Sequence, residues 1–266
     1  MANLKETQIT DFKEQGAVPL YGVFADWVET LRRGIADNLA EPGPSGRNYT
    51  GEAGDGRFYS DYCNWDRIPE YRDFVMNSPA AEIASELMGA RSVQLFHEHI
   101  LVKEAMADVP TPWHQDKPYY SVACEKTVSF WIPLDEVPRE RTLEFVAGSH
   151  RGGALYQPQY FNGNPLNDDD GLPALPDIGA DRDKFDIVGW ALKPGDAIAF
   201  DFGVIHGAPA NRSAASNRRA FSLRLLGEGA TFVRIPGRAT SPPFPDVTLE
   251  HGAPLVGPEF PVLWRG

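Results

Sequence analysis

Residues 91–228 repeat one pattern: short runs rich in β-branched and aromatic residues, cut by turn residues. The runs are "SVQLFHEHILVK", "TVSFWIPL", "TLEFVAG", "WALKPGDAIAFDF" and "RAFSLRLLGE". Strands this short and this numerous predict an antiparallel sandwich or barrel, because each needs neighbours on both edges and one covered face. Lys193-Pro194-Gly195-Asp196 supplies a turn in which proline fixes φ and glycine permits φ > 0, so its flanking runs are expected to pair as a hairpin. Residues 152–185 are rich in Asn, Asp, Pro and Gly and too long for a plain connection. A flap over a site is the preferred reading there, a decorative insertion the alternative, and "NDDDG" within it reads as a solvated loop rather than a calcium site.

The part before the strands reads as helical. Phe24, Trp27, Val28, Leu31, Ile35 and Leu39 recur at three- and four-residue spacing. "EPGPSGRNYTGEAGDG" breaks that pattern, and its "GEAGDG" has dinucleotide-loop glycines without a preceding apolar strand, so a loop is expected. Two further helices are predicted over 69–77 and 79–88, the second opened by Ser78 and Pro79 and closed by Gly89. The expected organisation is one domain over 1–266: a mostly helical 1–90, a β core over 91–230 and a C-terminal extension over 231–266.

Composition removes several functions. With 37 acidic and 25 basic residues the formal charge is −12, a poor match for nucleic acid or an anionic membrane. No signal-peptide pattern opens the chain and no apolar run is long enough to span a bilayer, so a cytoplasmic protein is expected; a small-molecule substrate and a monomer or small homo-oligomer are separate expectations that these features do not decide. Cys63 and Cys124 are far apart and outside any CxxC, which predicts buried free thiols and no disulfide framework. The sequons at Asn48 and Asn211 read as chance matches.

Of six histidines, His114 stands in "TPWHQDKPYY" two positions before Asp116. In extended backbone, i and i+2 share a side, so the pair can present an imidazole nitrogen and a carboxylate oxygen to one point. HxD alone is common. Two imidazoles and one carboxylate on one octahedral face are the donor set of a non-haem iron centre with open positions, and His206, in "AIAFDFGVIHGAPANRS", ends an apolar run as a third ligand would. Arg218 opens "RRAFSLRLL", where Ala220 and Ser222 share its side while Arg219, Phe221 and Leu223 take the other. A guanidinium is the group that grips a carboxylate at two points. Trp113, Tyr119, Tyr120 and Phe130 are candidate pocket walls or core, and Lys117, Arg139 and Arg141 either meet an anion or are solvated.

Taken in order, "WHQD", "SFWIPLDEV", "TLEFVAGSHRGG", "KPGDAIAFDFGVIHGA" and "RRAFSLR" resemble the phytanoyl-CoA dioxygenase family of iron- and 2-oxoglutarate-dependent oxygenases, and "ITDFKEQGAVPL" is similar to that family's opening helix. The resemblance implies a mainly β fold with flanking helices, a double-stranded β-helix of jelly-roll or cupin-like type with N-terminal helices packed on one sheet. It implies Fe(II) on His114, Asp116 and His206, and 2-oxoglutarate held by Arg218, with Trp131, His99 and Lys103 as further contacts, His97 behind them and His150 at a pocket edge. Ala147 stands where the family often has proline, and twelve positions separate His206 from Arg218 where eleven are more usual, which leaves Arg218 or Arg219 as the anchor, with the flanking residues favouring Arg218. The implied reaction consumes O2 and 2-oxoglutarate, releases succinate and CO2, and hydroxylates an unactivated C–H bond. Family substrates range over acyl-CoA thioesters, amino acids, osmolytes, phosphonates and terpenoids. The alternatives are a halogenase, which Asp116 opposes by occupying the halide position, and a non-catalytic cupin-like protein that binds metal or 2-oxoglutarate. Asp116→Ala is expected to leave the fold intact, as a strand-end carboxylate with little packing.

Overall fold

The computed structural model describes residues 4–50, 56–168 and 170–266. Helix α1 (Glu6–Gln15) stops at Gly16, whose φ of 82° is the left-handed conformation that closes a helix. The chain then turns extended as β1 (Ala17–Leu20), so "AVPL" is strand where a continuing helix was expected. Pro19 fits an edge strand, which β1 is. Helix α2 (Val28–Ala40) follows, burying Val28, Leu31 and Ile35 along one stripe. Next come β2 (Arg47–Thr50) and β3 (Arg57–Tyr62), an antiparallel hairpin: β2 falls in the stretch expected to be loop and β3 in the part expected to be mostly helical; "RNYT" lies mostly exposed at a sheet edge and carries no apolar alternation. Of "GEAGDG", residues 51–55 lie outside the described residues. Helices α3 (Pro69–Asn77) and α4 (Ala80–Met88) match expectation to within a residue. Pro79 occupies the N-cap of α4, while Ser78 Oγ accepts from the Ala80 N–H at 3.4 Å.

The strands that follow are β4 (Ser92–Lys103), β5 (Thr111–His114), β6 (Val122–Ala123), β7 (Thr127–Pro133), β8 (Glu144–Val146), β9 (Ile187–Val188), β10 (Ala197–Phe200), β11 (His206–Ala208), β12 (Arg218–Gly227), β13 (Thr231–Phe232) and β14 (Val262–Arg265). The larger sheet runs β1-β10-β7-β12-β4-β3-β2 with β14 also on β4, and the smaller runs β5-β11-β8-β9. All their pairings are antiparallel. Two facing sheets with helices against the larger one are the jelly-roll arrangement expected. The turn at Lys193 forms, with the Asp196 N–H on the Lys193 carbonyl at 3.0 Å, but it closes no hairpin: Leu192 bridges to Val137, while β10 pairs with β1 and β7. Residues 231–266 are more than an appendage, since β14 extends the larger sheet.

Alternation in β12 sorts the core. Phe221, Leu223 and Leu225 face the helices and pack with Phe12, Leu31, Ile35, Phe74 and Leu87; each such buried side chain contributes roughly 1.5–3 kcal/mol. The opposite side of the sheet meets β8 and β11 through Trp131, Phe145, Ile198 and Phe200. In β4 the register advances by one extra residue, because Arg224 pairs with His97 while Leu225 pairs with Leu95. This bulge at Phe96 puts two consecutive side chains, Phe96 and His97, off the helix side; Phe96 joins Tyr120, Phe202 and Phe260 in closing one end of the sandwich.

Candidate active site

Strands β5 and β11 pair with His114 opposite His206, which brings the two imidazole centroids to 4.2 Å. His114 Nδ1 lies 2.7 Å from the Pro112 carbonyl and His206 Nδ1 3.0 Å from the Val204 carbonyl. A carbonyl only accepts, so each Nδ1 carries the proton and each Nε2 keeps its lone pair. Both Nε2 atoms face Asp116 Oδ1, at 3.7 and 3.9 Å. Asp116 reaches them from outside the strand: β5 ends at His114, and Asp116, at φ −70° and ψ −41°, begins a 3-10 turn. The turn, and not a shared strand face, makes the pair converge.

The second carboxylate oxygen points elsewhere. Asp116 Oδ2 accepts from Ser129 Oγ at 3.1 Å and lies 3.6 Å from Arg224 Nε, while Arg224 donates to the Tyr120 hydroxyl at 3.0 Å. Burial opposes ionising Asp116, but charge attraction, from the Arg224 guanidinium foremost, outweighs it and holds the carboxyl well below its usual range. Burial pushes His206 down to about 3 and His114 down as well, so both imidazoles stay neutral at pH 7. Among the described residues this is the one cluster of three such groups placed to share a metal ion, its donor atoms all within 4.8 Å of one another. Two neutral Nε2 donors, one anionic oxygen and an open side fit Fe(II).

That open side is a cavity of about 260 Å3. Arg218, Ala220, Ser222 and Arg224 line it, as do Trp131, His99 and Lys103, so the expected side of β12 faces inward. Arg219 faces out, bonded to Asp135 at 2.6 and 3.0 Å. Arg218 is buried, and two of its N–H groups donate to the backbone carbonyls of Arg141 and Pro209. Lys103, its partner in the ladder, donates to Thr111 Oγ1 at 3.1 Å and lies 4.6 Å from the Phe58 ring. Burial lowers Arg218 to about 10 and, with Arg218 beside it, holds Lys103 well below its usual value. Arg218 and Lys103, buried with no carboxylate beside them among the described residues, suit one end of a dianion. His99 is neutral, pushed down to about 3 by burial, and hydrogen-bonds Ser60 at 2.7 Å.

Other candidates lie elsewhere. His150 packs on the end of α1, with Nε2 on the Lys13 carbonyl at 3.1 Å. Phe130 is helix-side core and Trp113 packs with Val146 and Ile205, whereas Tyr119 and Tyr120 do line the cavity. Arg139 pairs with Glu144 and Arg141 with Asn211 and Ser216. Cys63 is exposed and Cys124 half-buried, against the expected burial, though both are free. Asn211 is fully buried and bonded, so its sequon is a chance match. Residues 159–161 and Leu166 of the long loop line the cavity, which agrees with a covering segment. Sequence reasoning missed Arg224, whose signal was the inward alternation carried one step past Ser222, and Gln115. Gln115 turns away from the cluster and donates to the Gly203 and Ala154 carbonyls at 2.7 and 3.0 Å, tying the metal-binding turn to the approach of His206.

The model for phytanoyl-CoA dioxygenase (PhyH) matches residues 12–220. The chain belongs to the phytanoyl-CoA dioxygenase family. No curated protein matches it. Among solved structures, the non-heme alpha ketoglutarate dependent carbocyclase SnoK from nogalamycin biosynthesis shares 26% identity over 98% of this chain and 97% of its own, with a TM-score of 0.77. The epimerase SnoN, solved with Fe3+, alpha ketoglutarate and nogalamycin RO, shares 24% over 97% and 98%, TM-score 0.75. EctD from S. alaskensis, solved with 2-oxoglutarate and 5-hydroxyectoine, shares 20% over 95% and 86%, TM-score 0.70. At such identity the last two show that the family fold is shared. Among the described residues no helix is long and apolar enough to cross a membrane.

Proposed function

We propose that the protein is an Fe(II)- and 2-oxoglutarate-dependent dioxygenase that hydroxylates an unactivated C–H bond of a small molecule. The observation that carries this reading is the convergence of His114 Nε2, His206 Nε2 and Asp116 Oδ1 at a cavity that also holds the paired cations Arg218 and Lys103. Iron with 2-oxoglutarate supplies O2 activation coupled to decarboxylation, yielding succinate and CO2. His114, Asp116 and His206 hold the metal; Oδ1 serves as the ligand atom because Ser129 and Arg224 engage Oδ2. Arg218 and Lys103 take the distal carboxylate, and Trp131 walls that end. Tyr119 and the loop around Gln159, joined by Tyr119 donating to the Gln159 carbonyl at 2.6 Å, shield the centre from water. Asp116 opposes the halogenase alternative, since a carboxylate fills the place a halide needs.

Metal-dependent 2-oxoglutarate binding, followed by O2-dependent succinate release, tests the reading, and His206→Ala should abolish both. Wild-type metal stoichiometry and turnover in that variant would overturn it. A second outcome has an observation behind it, because SnoK, at 26% identity, is a carbocyclase. Ring closure lowers the product mass by two hydrogens while hydroxylation adds one oxygen, so mass spectrometry of the product separates them.

A further inference from the structure

We propose that the substrate is a planar, ring-based molecule bearing an anionic group, and that Arg47 receives that group at the rim of the cavity. This rests on the oxygenase reading above and concerns a part of the cavity which that reading does not use. Arg47 and Tyr49 on β2 and Tyr62 on β3 face the same cavity as the His114–Asp116–His206 cluster. Arg47 pairs across the sheet with Ser60, Ser60 with Leu101, and Leu101 with Ala220. Three strand spacings separate Arg47 from Ala220, roughly 14 Å at about 4.8 Å each. Arg47 is therefore too far out to share the carboxylate held by Arg218, and it marks a second anion position.

Arg47 is exposed, contacts the Tyr49 hydroxyl and has no ion-pair partner among the described residues. Flat side chains surround it. Phe161, from the covering loop, packs edge-on against Tyr49 at 5.0 Å and Phe58 at 4.8 Å, and Tyr49 meets Phe58 at 5.4 Å. Tyr62, Tyr160 and Pro242 complete this wall. Tyr49, Tyr62, Tyr160 and Phe161 thus give the outer cavity an aromatic wall, against which another ring packs favourably by face or edge.

Charge narrows the class further. Among the described lining residues Asp116 is the single carboxylate, and it is committed to Ser129, Arg224 and the imidazoles. Among the described lining residues no acid remains to receive an ammonium group, so they offer an amino-acid-like or cationic substrate no partner. Among the described residues the outer wall has one cation, Arg47, whereas a coenzyme A ester brings several phosphate charges that call for a cluster. A neutral ring system with one carboxylate, enolate or phenolate matches what is present.

The test is fluorescence titration, without O2, of protein carrying metal and 2-oxoglutarate. The probes are anthracene-2-carboxylate, its cationic counterpart 2-(aminomethyl)anthracene, cyclohexanecarboxylate and coenzyme A, the last two as competitors. The aromatic acid should bind at least ~10-fold tighter than the amine, and neither competitor should displace it; Arg47→Glu, a change at an exposed position, should shift the acid-to-amine preference by roughly 10-fold or more, because charge reversal replaces an attraction with a repulsion. Phe161→Ala should weaken acid and amine alike. Tighter binding of the amine, displacement by coenzyme A, or an unchanged preference in Arg47→Glu would overturn the proposal. Calorimetry of 2-oxoglutarate on the same wild-type protein keeps the two readings apart. If 2-oxoglutarate binds and the aromatic acid does not, the substrate class is wrong; if 2-oxoglutarate fails to bind, the oxygenase reading falls.

Discussion

Replacing Arg218 with lysine should weaken 2-oxoglutarate binding while the same change at Arg219 should not. A guanidinium has five N–H donors. Two of those on Arg218 are committed to the Arg141 and Pro209 carbonyls, which leaves three to meet a carboxylate at two points. Lysine has three donors on one atom and cannot serve both carbonyls and both carboxylate oxygens. Losing one charge-assisted hydrogen bond costs about 1.5–3 kcal/mol, which is roughly a 10- to 150-fold rise in Kd. Arg219 pairs with Asp135 at the surface side of the sheet, where its side chain is 30% exposed, so Arg219→Lys should cost under ~1 kcal/mol of stability and leave the Kd within about twofold. Calorimetric titration of 2-oxoglutarate into metal-loaded protein measures both, with melting curves to show that each variant is folded. A larger loss for Arg219→Lys, or none for Arg218→Lys, would refute the assignment of the inward face.

Three further outcomes follow from buried polar and charged groups. Asp116→Ala should abolish turnover and also destabilise the metal-free protein by about 3 kcal/mol, because it leaves Arg224 buried without its anion. This reverses the expectation of a silent effect on the fold, and Asp116→Ala/Arg224→Met should recover part of the loss in chemical denaturation. Glu98 is buried, Oε1 accepts from the Asn64 N–H at 2.5 Å and Oε2 has no hydrogen-bond partner among the described residues, and burial, with a smaller contribution from Asp61, raises its pKa from 4.5 to about 8. The folded state thus holds a proton that the unfolded state releases, and stability falls by about 4 kcal/mol as pH rises from 4.5 to 8. Glu98→Gln should remove that slope. The difference between variant and wild type cancels the opposite contribution below pH 6.5 from His97, His99 and His206, all held neutral by burial; parallel curves would sink the idea. Asn211→Ala should cost about 2–4 kcal/mol and loosen Arg218, since Asn211 bonds the Lys103, Glu104 and Ser216 carbonyls and receives Arg141. A melting temperature and 2-oxoglutarate affinity equal to wild type would contradict it.

The residues that could be read in advance are those whose role follows from a period. β4 and β12 are long and β12 alternates cleanly, so their bounds to within a residue and the inward side of Arg218 were visible, as was the stripe of α2. What stayed hidden depends on partners distant in sequence. β2 is polar and pairs only because β3 already lies on β4. β1 hides behind a helix that Gly16 terminates. The turn at Lys193 is chemically a turn, but the partner of β10 is chosen by sheet order and not by proximity in the chain. Arg224 obeys the same alternation as Arg218, yet its link to Asp116 bridges more than a hundred residues and no local pattern announces it.

The extra residue at Phe96 has a consequence for how this chain can change in length. Residues 97–103 are locked to 218–224 and residues 93–95 to 225–227, and the bulge is where the two ladders are joined out of step. Deleting Phe96 would heal the ladder and leave every other side chain of β4 facing as it does now, at the expense of one ring at the closed end. Deleting any residue from 98 to 102 would instead slip part of the strand and exchange cavity groups for helix-side ones, putting Glu98 or Val102 where His99 or Lys103 stand. One-residue indels should thus be survivable at a single place in this strand, and homologous chains that differ in length here should differ at the bulge.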